Sequence, residues 1–142
     1  MLRTVLQPVE LHHSWPLEER DSRFALGTDL PLLEPAPIGM AGHWSCDLSD
    51  QALTWGADVY ALFGLPRSQP VRRDAALACY ADHSRAAMER LRAHALRHRR
   101  GFAIDIELRP ATGGRRIVRL IAAPTLEDGR PVRLEGFKLP LD

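Results

Sequence analysis

The last third of the chain alternates. Phe102, Ile104, Ile106 and Leu108 are apolar, and Ala103, Asp105, Glu107 and Arg109 stand between them and after them. A period of two predicts a β-strand with one buried and one wet face, which puts Asp105 and Glu107 in water. Thr112-Gly113-Gly114 supplies a turn, Arg116 to Ala123 the next strand, and Asp128-Gly129 a strong hairpin signal before a third strand. In that last strand Val132 and Leu134 share one face, then Phe137 and Leu139 share the other; Gly136 lies at the slip, which predicts a β-bulge there. Both faces of this sheet carry apolar residues, because Ile117, Ile121 and Phe137 fall opposite Val118, Leu120, Val132 and Leu134. One face should line the core and leave the other to be covered.

The middle of the chain has a different period. From Asp74 to Arg100 the residues Leu77, Tyr80, Met88, Leu91 and Ala95 recur at helical spacing with arginines between them. Asp82-His83-Ser84 should break the stretch into two helices, with Asp82 or Ser84 capping the second and Gly101 ending it. Before it stand two short strands, Gly42 to Leu48 and Leu53 to Trp55, the second running into a short helix that stops at Gly64. Two strands, several helices and three strands make an α+β domain.

Residues 1–38 form an N-terminal extension and 39–142 the domain. Ser14-Trp15-Pro16-Leu17-Glu18-Glu19 reads as a helix start with Ser14 as N-cap, the helix ending near Gly27. The three prolines of 30–37 predict an extended linker leading to Ile38-Gly39. The extension is too rich in apolar residues, among them Val5, Leu11, Trp15, Leu17, Phe24 and Leu33, to be a disordered tail. Trp15, Leu17, Phe24, Ile117, Ile121 and Phe137 are therefore the expected interface residues, where the extension, a second copy or a partner covers the sheet. A homodimer built there is the expected assembly.

At 142 residues the chain can bury one core. No run approaches the roughly eighteen apolar residues of a membrane span, and the N-terminus has no long apolar region or small-residue cleavage site, so no secretory signal is expected. Cys46 and Cys79 have no metal-type spacing and read as reduced, buried thiols of a cytoplasmic protein. Residues 1–38 hold three arginines against six acids, so an acidic extension faces a basic domain. Eighteen of the nineteen basic residues are arginine, and Lys138 alone is lysine. The arginines between 85 and 100 read as a solvated helix face, since no nucleic-acid motif or interleaved aromatics accompany them. His94 and His98 are four apart on one helical face, but Arg92, Arg97, Arg99 and Arg100 surround them and disfavour a cation. No phosphate-cradling glycine loop, Gly-x-Ser-x-Gly elbow or His-Glu-x-x-His motif is present, so the chain reads as no enzyme.

Three motifs carry a family resemblance. Gly42-His43-Trp44-Ser45-Cys46-Asp47-Leu48 fits G-x-W-x-x-D-L; Leu53-Thr54-Trp55 with Tyr60, Phe63 and Gly64 fits L-x-W followed by Y-x-x-F-G; and Asp128-Gly129-Arg130-Pro131-Val132-Arg133-Leu134-Glu135-Gly136 fits D-G-x-P-x-x-L-x-G. Over about residues 39–139 the chain resembles PAS domains with their C-terminal PAC half. The resemblance implies a five-stranded antiparallel sheet with helices on one face, in a sensory or adaptor module. Such a module signals through protein–protein contact, with a histidine kinase or another PAS domain as partner. It also implies that Trp44, Cys46, Trp55, Tyr60, Phe63, Met88, Leu91, Ile104, Ile106 and Leu120 face the core, where some members hold a ligand; here they are expected mainly to fill it.

The chain departs from several patterns of the family. Neither cysteine has the Asn-Cys-Arg-Phe-Leu-Gln-like neighbourhood of flavin-binding members, and His83 is a poor haem ligand, so no cofactor is expected. Ala81-Asp82-His83-Ser84-Arg85 keeps only Arg85 of the usual His-Pro-x-Asp-Arg, and Ile117-Val118 stands where a tryptophan is common. Lys138-Leu139-Pro140-Leu141-Asp142 replaces the usual Asp-Ile-Thr-like end. A complete chain would then act by contact alone, whereas a fragment of a kinase or cyclase would have its output domain elsewhere.

Overall fold

The computed structural model describes residues 13–25 and 42–142. The expected helix end at Gly27, the linker 30–37 and the domain start at Ile38-Gly39 lie outside them. Six strands form one antiparallel sheet: β1 (Ser14–Pro16), β2 (Gly42–Asp47), β3 (Leu53–Trp55), β4 (Arg100–Leu108), β5 (Arg116–Glu127) and β6 (Arg130–Pro140), in the spatial order β1-β4-β5-β6-β2-β3. Between β3 and β4 run α1 (Ala57–Phe63), α2 (Arg73–Leu77) and α3 (Asp82–His98). The helices pack on the inner sheet face. Val59, Leu62 and Phe63 of α1 and Ser84, Met88, Leu91 and Ala95 of α3 are their buried residues, spaced three and four apart or adjacent on one stripe. α1 ends where expected, at Gly64 with φ 67°. The Asp128-Gly129 turn has φ 51° and 77°, the paired positive values of a tight hairpin.

The sixth strand is the first departure from expectation. Ser14–Pro16 is not a helix start but an edge strand, with Trp15 opposite Gly101 and Pro16 opposite Arg100. Proline is tolerated because the strand lies at the sheet edge. Trp15 is 2% exposed, and any Cβ at residue 101 would collide with its indole ring. Gly101 is therefore a slot for Trp15 and not a helix stop; α3 ends instead at Arg99, in the left-handed region with φ 55°. A 3-10 turn (Leu17–Glu19) and helical residues 20–25 follow β1. They lie on the outer sheet face, where Trp15, Leu17 and Phe24 cluster with Ile121, Ala103 and Ala123. Phe24 meets Phe137 edge-on, with centroids 5.5 Å apart. Four expected interface residues thus form one cluster and Phe137 joins it through Phe24, whereas Ile117 is not part of it.

Polar clamps fix this segment. Arg20 donates to Glu135 at 3.0 Å and to Thr125 at 3.3 Å, and Thr125 itself donates to Glu135 at 2.6 Å. Burial alone would raise the Glu135 carboxyl, but hydrogen bonds from Thr125, Arg133 and Arg20 outweigh it and bring it down to about 2.

Two further expectations are corrected. The N-cap of α3 is Ala81, without a side-chain cap, and neither Asp82 nor Ser84 serves. Ser84 instead accepts the Glu107 backbone N–H at 2.8 Å, while Ala81 N–H donates to the Glu107 carbonyl at 3.0 Å. These bonds tie the helix start to β4. There is also no bulge at Gly136. The β5–β6 register is regular from Thr125–Arg133 to Val118–Pro140, and its one irregularity lies between Thr125 and Leu126. From Arg133 to Pro140 the alternation does not slip. Leu134, Gly136 and Lys138 all face inward, opposite Cys46, Trp44 and Gly42. Gly136 has no side chain because a Cβ there would run into the Ile121 carbonyl.

Candidate functional site

The inner sheet face and the helices enclose an apolar core with a cavity of about 50 Å³. β2 supplies Trp44 and Cys46, β3 Leu53 and Trp55, and the central strands Phe102, Leu120 and Leu134. Phe63, Leu77 and Met88 close it from the helical side. Trp55 packs on Phe63 with ring centroids 4.4 Å apart and on Tyr60 at 5.2 Å, so the wall nearest α1 is aromatic. Of the residues expected to face the core, Trp44, Cys46, Trp55, Phe63, Met88 and Leu120 line the cavity. Leu91, Ile104 and Ile106 are buried in the same core cluster but fill it, and half-buried Tyr60 packs against its edge.

The polar lining is what the sequence reading missed. Lys138, Arg73, Arg92 and Tyr80 reach the cavity. Arg73 pairs with Glu89, and Arg92 donates to the Gln51 side-chain oxygen at 2.9 Å. Lys138 is 5% exposed, and among the described residues nothing accepts a hydrogen bond from its ammonium. Its Nζ rests 4.1 Å from the Trp44 ring centroid and 5.7 Å from that of Phe63. Burial pulls its pKa from 10.5 down to about 7, and the nearby Cys46 opposes this only weakly. Cys46 is no counter-ion, since burial raises its thiol despite the adjacent Arg92. The indole Nε1 of Trp44 is a buried donor with no acceptor among the described residues. Burial also pushes the Tyr80 phenol up.

The histidines stand apart. His83 is exposed, with Nε2 3.8 Å from Glu107, and does not line the cavity; the His94 and His98 rings lie 4.5 Å apart. Among the described residues no group of three or more His, Cys, Asp or Glu is placed to hold a metal ion. No helix among them is long and apolar enough to cross a membrane. Asp105 pairs with Arg119 at 2.8 Å on the outer face, and Glu107 with Arg115 at 3.3 Å.

No protein-family model and no curated protein matches the sequence. Solved structures do. The N-terminal domain of a diguanylate cyclase with PAS/PAC sensor from Marinobacter aquaeolei is similar with a TM-score of 0.65 at 16% identity, over 71% of this chain and 94% of that one. A sensory box histidine kinase/response regulator from Burkholderia thailandensis gives 0.64 at 15% identity, over 82% and 84%. The PAS domain of a protein from Colwellia psychrerythraea gives 0.60 at 12% identity, over 88% and 96%. At such identities the likeness carries the fold alone, and together with the sheet topology and the helices on its inner face it establishes that this chain has a PAS fold.

Proposed function

We propose that the chain is a sensory module that binds a small molecule in its core, catalyses no reaction, and signals by contact with another protein. The observation that carries this reading is the two-sided use of one strand. Lys138 faces the cavity, while its neighbour Phe137 meets Phe24 of the N-terminal segment on the outer face. A ligand that shifts Lys138 therefore moves the strand on which the outer segment rests. The similar domains from a diguanylate cyclase and a histidine kinase support a place in such a signalling protein, with a histidine kinase or another PAS domain as partner in the cytoplasm. Filling the cavity by Ala76→Leu should change amide exchange across residues 13–25. Unchanged exchange there would remove the proposed coupling between the two faces.

We also propose a homodimer through the outer face and the N-terminal segment. Leu141 is 43% exposed, the one exposed large apolar side chain among the described residues, and it is backbone-bonded to Ile117 at 2.9 Å. These two residues would be covered by the second copy. Light scattering should give twice the chain mass, and a monomer at high micromolar concentration would exclude the dimer.

A further inference from the structure

The polar side chains lining the cavity are Lys138, Arg73, Arg92, Tyr80, Trp44 and Cys46, and none is a carboxylate. Their charges do not balance inside it. Arg73 is already paired with Glu89, and the bond from Arg92 to Gln51 lies at the exposed rim. That leaves the ammonium of Lys138, a residue 5% exposed, resting on the Trp44 ring and without an acceptor among the described residues. A buried donor left unmade is costly, and a ring face replaces only part of what water gave it. A ligand that balances this site brings one negative charge and at least one acceptor oxygen. A second charge would find no free partner deep in the cavity. The rest of the lining, Trp55, Phe63, Leu120 and Leu134 among it, asks for an apolar remainder. Size sets the last limit: a water needs roughly 10–15 Å³ of such space, so about 50 Å³ admits only a few heavy atoms.

We propose, building on the sensory reading above, that the core cavity binds a short-chain monocarboxylate, its carboxylate paired with Lys138 Nζ and its alkyl tail against the aromatic wall. The chain's choice of basic residue fits this role. Arginine fills every other basic position, and lysine stands only where the charge is compact, buried and aimed at a small space.

The same fact supplies the test. Lys138 is the chain's only lysine, so labelling lysine with 13C at Cε alone gives a single side-chain signal. Propionate and butyrate should move that signal saturably, whereas propionamide, butyramide and succinate should not. Calorimetry with propionate should show Lys138→Met weakening binding by roughly ten- to hundred-fold, the worth of one charge-assisted hydrogen bond. A variant that fails to fold leaves the wild-type signal as the deciding readout. If the amides shift the signal as strongly as the acids, the cavity is a binding site but the monoanion proposal is wrong. If the carboxylates leave the signal unmoved, the proposal is wrong; when Ala76→Leu also leaves residues 13–25 unchanged, the sensory reading falls with it.

Discussion

Replacing Lys138 by methionine should make the protein more stable, and by an amount that depends on pH. Burial alone, before the ring beneath the ammonium is counted, pulls the lysine from 10.5 down to about 7 in the fold. Between those values the unfolded chain holds a proton that the folded chain does not, so the Lys138 contribution improves as pH rises from 7 to 10.5 and is at its worst below 7. The full difference corresponds to on the order of 4–5 kcal/mol. The Trp44 ring beneath the ammonium returns roughly 2 kcal/mol of that, since a desolvated cation–π contact is worth about that much. A net penalty of about 3 kcal/mol remains. Methionine has a similar reach and adapts to irregular apolar space, so it should remove the penalty without opening a large void. Urea unfolding of both proteins from pH 6 to pH 10.5 measures the difference. Cys46, Cys79 and Tyr80, all raised by burial, oppose the trend in either protein by favouring the unfolded chain at high pH. Subtraction removes them. The advantage of the variant should be about 3 kcal/mol at pH 6 and mostly gone by pH 10.5. A difference that stays flat with pH, or a less stable variant at pH 6, would refute the burial argument.

Three further outcomes are expected. Glu135→Gln should cost about 2 kcal/mol at pH 7 by loosening the Arg20 clamp. Because the carboxyl is lowered from 4.5 to about 2, that contribution is complete above 4.5 and fades as pH falls through 2; an equal cost in urea melts at pH 7 and pH 2 would contradict it. Gly101→Ala should displace the Trp15 ring and cost roughly 1–3 kcal/mol, with faster amide exchange across β1; wild-type exchange there would mean that the slot is not needed. Trp44→Ala should cost about 3–5 kcal/mol, since the ring is 5% exposed and supports Lys138, and unchanged urea stability would remove Trp44 from the core.

Where a signal is local, the sequence already contained it. The alternation of Phe102 to Leu108, the Asp128-Gly129 turn and the glycine after α1 each depend on a few neighbouring residues, and each element formed as expected. The failures all involve a distant partner. Ser14-Trp15-Pro16 carries every mark of a helix start, yet Trp15 finds its place only because Gly101 leaves a gap on a strand far along the chain. Gly101 was then unavailable as a helix stop, and Arg99 took the left-handed position. Ser84 has the chemistry of an N-cap but satisfies a backbone N–H of β4 instead. In each case a tertiary contact worth more than a cap redirected a residue that could have served either purpose.

The site was hidden by a related error with a larger consequence. Residues 134–138 run Leu, Glu, Gly, Phe, Lys, and a reading that counts only apolar positions sees the buried face change sides at Gly136. The strand does not change sides. Its inner positions are filled by Gly136, where the neighbouring backbone excludes any side chain, and by Lys138, the residue type least expected in a core. Thus the apparent slip was the trace of an inward lysine: backbone leaves no room for a side chain at Gly136, and the next inner position carries a charge on the cavity wall. A bulge and an inward lysine predict the same apolar pattern and differ only in register, which the pairing of Lys138 with Gly42 and Leu120 decides. The lone lysine among arginines was the remaining clue, and it becomes informative only once that register puts it against Trp44.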